Sequence, residues 1–264
     1  RHLVEVSTST LSLREAGASR RLTSAEGVVR VRLGGAPQPT AWVTGLLASR
    51  RTAERSFTTG GLRARVLPAD RWRLDAEHVR QLVETPRALD AGVTVDATSL
   101  SVQHRPVGAW LLEAGWAQLR FDDGTRRHRL TSQARWQIDG TWAVSAESLH
   151  LRRQSGPQPP ADRGYWNPLG YDEARVAVHW QRRVEDQRFT ARIGVGQARE
   201  RVDGGGRSSS NPAQWELGWQ RDVSPGLQLR AAAGASGQSF GLAGGGEAGY
   251  WRRYASVGLS AWWF

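Results

Sequence analysis

Leu227-Gln-Leu-Arg-Ala-Ala-Ala-Gly-Ala235 reads with a period of two. Leu227, Leu229, Ala231, Ala233 and Ala235 share one side, and Gln228, Arg230, Ala232 and Gly234 share the other. A period of two is the mark of a β-strand with one apolar face. The same pattern recurs upstream, where Phe189, Ala191, Ile193 and Val195 are interleaved with Thr190 and Arg192. Val176, Val178 and Trp180 stand against Arg175, His179 and Gln181, and Leu130, Ala134, Trp136 and Ile138 stand against Arg129, Gln133 and Arg135. The chain is therefore predicted to be all-β.

Cutting at turn signals gives about fourteen such segments. They span 2–13, 25–34, 40–52, 55–67, 71–84, 91–105, 109–122, 126–139, 142–153, 170–184, 187–202, 212–222, 226–240 and 250–264. One class of connection is tight and rich in Pro or Gly: 34–39, 68–70, 105–108, 139–141 and 224–226. The other is longer and more polar: 14–24, 85–90, 154–169, 203–211 and 241–249. The two classes tend to alternate. Short turns at one end and long loops at the other are the habit of a transmembrane barrel, whereas a soluble sandwich has no reason to sort its loops.

Tryptophan placement argues the same way. Trp42, Trp72, Trp110 and Trp142 each follow a short turn by one to three residues and are expected to form one aromatic girdle. Tyr165, Trp166, Tyr250 and Trp251 sit beside long loops and are expected at the opposite level. Indole and phenol rings favour the headgroup zone, so two belts imply a bilayer between them. The chain closes on Trp262, Trp263 and Phe264.

Composition narrows the remaining classes. The 264 residues carry 36 basic and 25 acidic side chains, and every basic one is Arg. A hydrophobic fraction of 39% with 13 Trp excludes a disordered chain. No run approaches the roughly 18 apolar residues of a membrane-spanning helix. Cysteine is absent, which removes disulfides, thiolate metal sites and cysteine nucleophiles. Methionine is absent too, so a mature or excised product is expected.

Arginine at the lipid midplane costs roughly 2–4 kcal/mol. Three dozen of them must therefore avoid that surface. Arg30, Arg32, Arg63, Arg65, Arg129, Arg135, Arg175, Arg192 and Arg230 all take the polar phase of their segments, which in a barrel faces the lumen. Glu113, Glu147, Glu173 and Glu216 are available as cross-strand partners. Total replacement of Lys by Arg is explained by a GC-rich genome; the surplus over acid is not. A positive interior concentrates anions. Arg63, Arg65, Arg135, Arg175, Arg192 and Arg230 are the candidate lumen-guidance residues.

From residue 163 the cadence is distinctive. Arg-Gly-Tyr-Trp-Asn-Pro-Leu-Gly-Tyr (163–171) opens a segment, followed by Asn-Pro-Ala-Gln-Trp-Glu-Leu-Gly-Trp (211–219), Val-Ser-Pro-Gly-Leu-Gln-Leu (223–229) and the stretch from Tyr250 to Phe264. Over the last hundred or so residues the chain resembles the barrel of exopolysaccharide-export outer-membrane proteins, in which a periplasmic tetratricopeptide-repeat scaffold precedes the barrel. The terminal aromatics resemble the signal read by the outer-membrane assembly machinery, although Trp263, not Phe264, shares the phase of Val257, Leu259 and Ala261. The resemblance implies passive conduction of a polysaccharide, with outer-membrane lipid, the assembly machinery and a periplasmic repeat scaffold or inner-membrane synthase complex as partners. It would place Tyr165, Trp166 and Asn167 at the extracellular mouth.

Other classes find less in the sequence. A barrel-embedded hydrolase needs a nucleophile, base and acid at one rim. His2, His78, His104, His128, His150 and His179 are dispersed, and Ser148 and His150 share a face that Glu147 does not. Asp122-Asp123 and Asp172-Glu173 split across faces, and the Gly runs at 204–206 and 244–246 lack a phosphate-binding context. A nucleic-acid binder would gather its basic residues into a patch, and these are scattered. The expected molecule is a single antiparallel outer-membrane barrel over 1–264 with about fourteen strands, in a range of twelve to sixteen. It is expected in the bacterial outer membrane, with no cofactor, no metal and no enzymatic activity. Its expected role is a pore exporting a polar, anionic polysaccharide, the alternatives being a structural subunit of a secretion complex and the hydrolase.

Overall fold

The computed structural model describes residues 2–15, 18–33, 41–83, 85–106, 108–156, 165–202, 205–237 and 251–263. Strands β1 (His2–Glu15), β2 (Ala18–Leu33), β3 (Ala41–Arg51), β4 (Ser56–Ala69) and β5 (Trp72–Leu82) precede a short helix, α1 (Pro86–Ala91). Then come β6 (Thr94–His104), β7 (Trp110–Phe121), β8 (Arg126–Gln137), β9 (Trp142–Ser155) and β10 (Gly170–Val184). The chain finishes with β11 (Gln187–Arg201), β12 (Arg207–Ser210), β13 (Ala213–Ser224), β14 (Leu227–Gly237) and β15 (Trp251–Trp263).

Each long strand pairs antiparallel with the strands before and after it, and β1 pairs with β15. The ring is closed. Strands β12 and β13 lie end to end along β11, interrupted where Pro212 lacks an N–H, so the fifteen strands make fourteen staves. Closure removes every free edge, the only way strands can cross a bilayer with their backbone polar groups satisfied. No described helix is long and apolar enough to cross a membrane.

The short turns gather at the end where β1 begins and β15 finishes. At the β13–β14 turn Pro225 fixes its own φ and Gly226 takes φ 98°, the left-handed value the hairpin needs. The opposite end carries the α1 segment and the 156–169 connection.

Period two divides each strand between two surroundings. Outward side chains include Leu47 and Ile193, each 64% exposed, together with Leu62, Leu100, Leu130, Val176, Val195 and Val257. An apolar surface encircling the molecule is stable only against lipid. Inward, the mid-barrel strands carry Arg, Glu, Gln, Ser and Thr. Gly61 faces inward on β4, where an added Cβ would stand 2.4 Å from the His78 carbonyl oxygen, so strand approach requires glycine there.

Three features differ from the sequence reading. Strand β2 starts at Ala18, not 25, because β1 and β2 stay paired up to Glu15–Ala18; from 19 to 24 Leu22 is the lone apolar residue, so alternation fades. The connection expected at 85–90 is helical. Thr85 Oγ1 accepts from the Ala88 N–H at 3.2 Å, Pro86 occupies the first turn and Gly92 ends the helix at φ 70°. Residues 207–210, expected in a loop, form β12.

Candidate functional site: the lumen and its mouth

Helix α1 does not project into solvent. Ala88 (0% exposed) and Val93 pack against Val95 and Ala97 of β6 and Leu119 and Phe121 of β7, all inward-facing. Leu89 (1% exposed) packs with Leu11 of β1, Leu22 of β2 and Leu82, with Phe57 and Tyr254 alongside. These two clusters lie on separate arcs of the barrel wall, so α1 crosses the lumen between them. Asp90 is gripped by Arg20, whose Nε and one terminal nitrogen each lie 2.8 Å from a carboxylate oxygen. Below the Leu11–Leu22–Tyr254 contact lies a cavity of about 440 Å³, bordered by Ser9, Ser24, Glu26, Arg50 and Arg192.

The stretch 165–168 narrows the same end. Tyr165 stacks on Phe121 with ring centres 4.7 Å apart, and its hydroxyl donates to Asp123 at 2.5 Å. Arg127, 4% exposed, lies over the Phe121 ring and donates to the Trp166 carbonyl and the Asn167 side chain. Trp166 meets Tyr171 edge-on and donates from Nε1 to Glu200 at 2.7 Å. The three residues expected at the mouth thus lie at the long-loop end, turned inward. Tyr165 and Trp166 contribute nothing to a lipid-facing belt, because inward Phe121, Tyr171 and Glu200 offer ring stacking and a carboxylate that lipid does not.

Burial and the hydrogen bond to Asp123 push the Tyr165 phenol up to about 12 from its ordinary value of 10. The neutral phenol is the form that fits. Its contribution is intact below pH 10 and is lost as pH rises from 10 towards 12, where the unfolded tyrosine ionises first. Subtracting the tyrosinate absorbance titration of Tyr165→Phe from that of the wild type is expected to give a midpoint near 12. A midpoint at 10 would contradict the buried stack.

Deeper in, the lumen holds a cross-strand charge ladder. Arg63 pairs with Glu77 at 2.8 Å, and Asp75 takes Arg65 and Arg73 at 2.7 Å each. Arg230 reaches Glu5 at 3.2 Å. On the facing wall Glu147 accepts from Arg192 through both oxygens, with Arg175 at 4.0 Å, and Arg175 also bonds Glu173. Arg135 stands close enough to Arg192 for their charges to interact. All six arginines singled out from the sequence face inward, five of them in ion pairs. Among the described residues Arg30, Arg129 and Arg135 form no ion pair.

Seven aromatics form a lipid-facing girdle near the short turns: Trp72, Trp110, Trp136, Trp142, Trp180, Phe189 and Trp219. Trp110 and Trp136 stack at 6.4 Å, and Trp142 faces Trp180 across β9–β10. Trp42 is the exception to the expected girdle. It faces Arg32 and Arg65 in register and shares the inward side with Thr44 and Arg50, because height above a turn does not fix phase. Trp262 and Trp263 lie opposite Leu3 and His2 in β15. Phe264, Tyr250 and the side chain of Trp251 fall outside the described residues.

One constellation escaped the sequence reading. Ser145 Oγ lies 2.8 Å from both Glu147 Oε1 and His179 Nε2. The hydroxyl donates to the carboxylate, so it receives the imidazole N–H, which is the reverse of nucleophile activation. Ser148 bonds Ser132 at 2.8 Å and His150 bonds Asp172 at 2.7 Å, two separate outward pairs. No group of three or more metal-ligating side chains occurs among the described residues.

No protein-family model matches the sequence, and no curated protein matches it. Solved structures do share the fold. A bacterial polysaccharide outer membrane secretin is similar over 100% of this chain and 98% of its own, with a TM-score of 0.64 at 12% identity. An anion-selective porin from Comamonas acidovorans covers 99% of this chain and 98% of its own at 11% identity, with a TM-score of 0.46. The KdgM porin covers 98% and 99% at 5% identity, with a TM-score of 0.45. At these identities the likeness is one of fold. A closed antiparallel barrel with a lipid-facing apolar surface and a polar interior is an outer-membrane barrel, and the bacterial outer membrane is its location.

Proposed function

We propose that the barrel is a passive conduit for polar, preferentially anionic, cargo, with a polysaccharide as the exported polymer and no chemistry performed on it. The observation that carries this reading is the state of Arg135. Its Nε is buried without a hydrogen-bond partner, it forms no ion pair, and Arg192 is its neighbour across the lumen wall. The positive charge of Arg135 has no carboxylate opposite it, so a passing carboxylate or sulfate is attracted to it. The neighbouring cluster is balanced, Glu147 and Glu173 against Arg192 and Arg175, so it leaves the charge of Arg135 uncancelled.

The cargo class is supported by the polysaccharide named for the most extensive of the three structural likenesses. A linear sugar polymer needs a lumen of hydroxyls, amides and charges with few apolar traps, and the mid-barrel wall has that composition. Arg63, Arg65, Arg135, Arg175, Arg192 and Arg230 guide the polymer electrostatically, and Tyr165, Trp166 and Asn167 frame its exit beside α1. A periplasmic repeat scaffold or an inner-membrane synthase complex would deliver it, and the outer-membrane assembly machinery would insert the barrel through Trp262, Trp263 and Phe264.

Planar-bilayer recording of the purified protein under a salt gradient tests the reading. Steady openings with an anion-selective reversal potential are expected. Cation-selective openings would overturn the guidance by arginine, and a bilayer that stays silent even without α1 would favour a structural subunit of a secretion complex.

A further inference from the structure

The outward arginines are unevenly placed. Near the short turns the lipid-facing phase carries Arg182 and Arg221, and Arg221 is held by Asp186 of the β10–β11 turn at 2.8 Å. At the long-loop edge the same phase carries a cross-strand row. Arg80 faces Asp96, Asp96 faces Arg120, and Arg120 faces Arg126. One strand further, His128 faces Arg152.

The Arg120–Arg126 pair is the anomaly in that row. Both side chains are exposed, and like charges directly opposite on antiparallel strands destabilise the pairing. Of the acids on this face, Asp96 opposite Arg120 already pairs with Arg80 at 3.6 Å, Asp122 accepts from the Thr94 N–H at 3.5 Å, and Asp172 is taken by Arg152 at 2.6 Å and His150. Below the pair, past the Gln118–His128 rung, the same face turns apolar. Trp116 faces Leu130, which is 52% exposed, and Trp116 packs edge-on against His128 at 5.4 Å. Cationic forks sit above an indole and an aliphatic surface, the order of headgroup and acyl chain in an anionic lipid.

We propose that the outward face of β7–β9 binds the phosphate of an anionic lipid headgroup between Arg120 and Arg126, with the acyl chains along Trp116 and Leu130. Guanidinium groups chelate phosphate oxygens bidentately, and the interface lowers the dielectric around the pair. A free anion would gain nothing from the apolar half of the site. A lipid gains from both halves.

The folded wild type in maltoside micelles, doped with phosphatidic acid or with phosphatidylcholine, tests this by thermal unfolding followed through gel mobility. Phosphatidic acid is expected to raise Tm by several degrees over phosphatidylcholine. The Arg120→Gln/Arg126→Gln variant should keep less than half of that rise, while Arg182→Gln, at the other edge, should keep all of it. In phosphatidylcholine the double variant should be at least as stable as wild type, because it loses the repulsion, which separates a lost site from a damaged fold. Inorganic phosphate should leave Tm unchanged. An equal rise with free phosphate would overturn the lipid assignment, and no rise in wild type or an undiminished rise in the double variant would overturn the site.

Discussion

Replacing α1 (Pro86–Ala91) by a Gly-Ser bridge is expected to raise single-channel conductance several-fold while the barrel still folds. The helix touches inward side chains on two arcs of the wall, Leu11 and Leu22 on one and Val95, Ala97 and Leu119 on the other, so it lies across the path of any solute. Its removal breaks no rung of the strand ladder. The Val83–Val93 backbone bond at 3.1 Å still closes the neck of the connection. The cost is local: Leu89 and Ala88 leave apolar neighbours, at about 25 cal/mol for each Å² returned to water. Arg20→Ala is the milder version. The Arg20–Asp90 fork is solvent-accessible, so its loss should cost little stability and shift the time spent open, with unitary conductance unchanged. Equal conductance with and without α1 would show that the constriction lies elsewhere.

How much of this could be read in advance depends on where lipid imposes a rule. Along 227–235 and 189–195 one face must be apolar, so alternation reported strand, phase and lumen together. Above the lipid the rule lapses. From Ser19 to Ser24 Leu22 is the lone apolar residue, too little alternation to carry β2 before residue 25. Strand β3 is ambiguous for the opposite cause: Trp42, Leu46 and Ala48 on one phase are as apolar as Val43 and Leu47 on the other. Only the register against Arg32 and Arg65 resolves it. The α1 helix did leave a local signal, Thr85-Pro86 at its start and Gly92 past its end around an apolar Ala88-Leu89. Six residues are too few to show periodicity, and nothing local says that they turn inward. The Ser145–Glu147–His179 contact is invisible for another reason, because it joins β9 to β10 diagonally across register.

Reversing two charges on the wall opposite Arg63 is expected to reverse the selectivity itself. Arg135→Glu with Arg192→Glu removes a cation outside any ion pair and the cation that grips Glu147. Arg175, 4.0 Å away and shared with Glu173, is then the one arginine left at that carboxylate. Acid outnumbers base at that level of the lumen. At an effective dielectric near 20–40, a unit charge about 7 Å from a permeating ion is worth roughly 1–2 kcal/mol. Each exchange removes one positive charge and adds one negative, so the combined change exceeds the roughly 1.4 kcal/mol that alters an equilibrium ratio tenfold. The reversal potential under a salt gradient should therefore change sign from anion to cation preference. Gel mobility before and after heating establishes that the variant has folded. Arg182→Glu makes the same kind of exchange on the outward face and should leave the sign unaltered. If the double variant folds and stays anion-selective, the field that sorts ions does not come from the Glu147 cluster. Selection would then rest with the arginines at the mouth, Arg20 beside α1 and Arg127 beneath Tyr165.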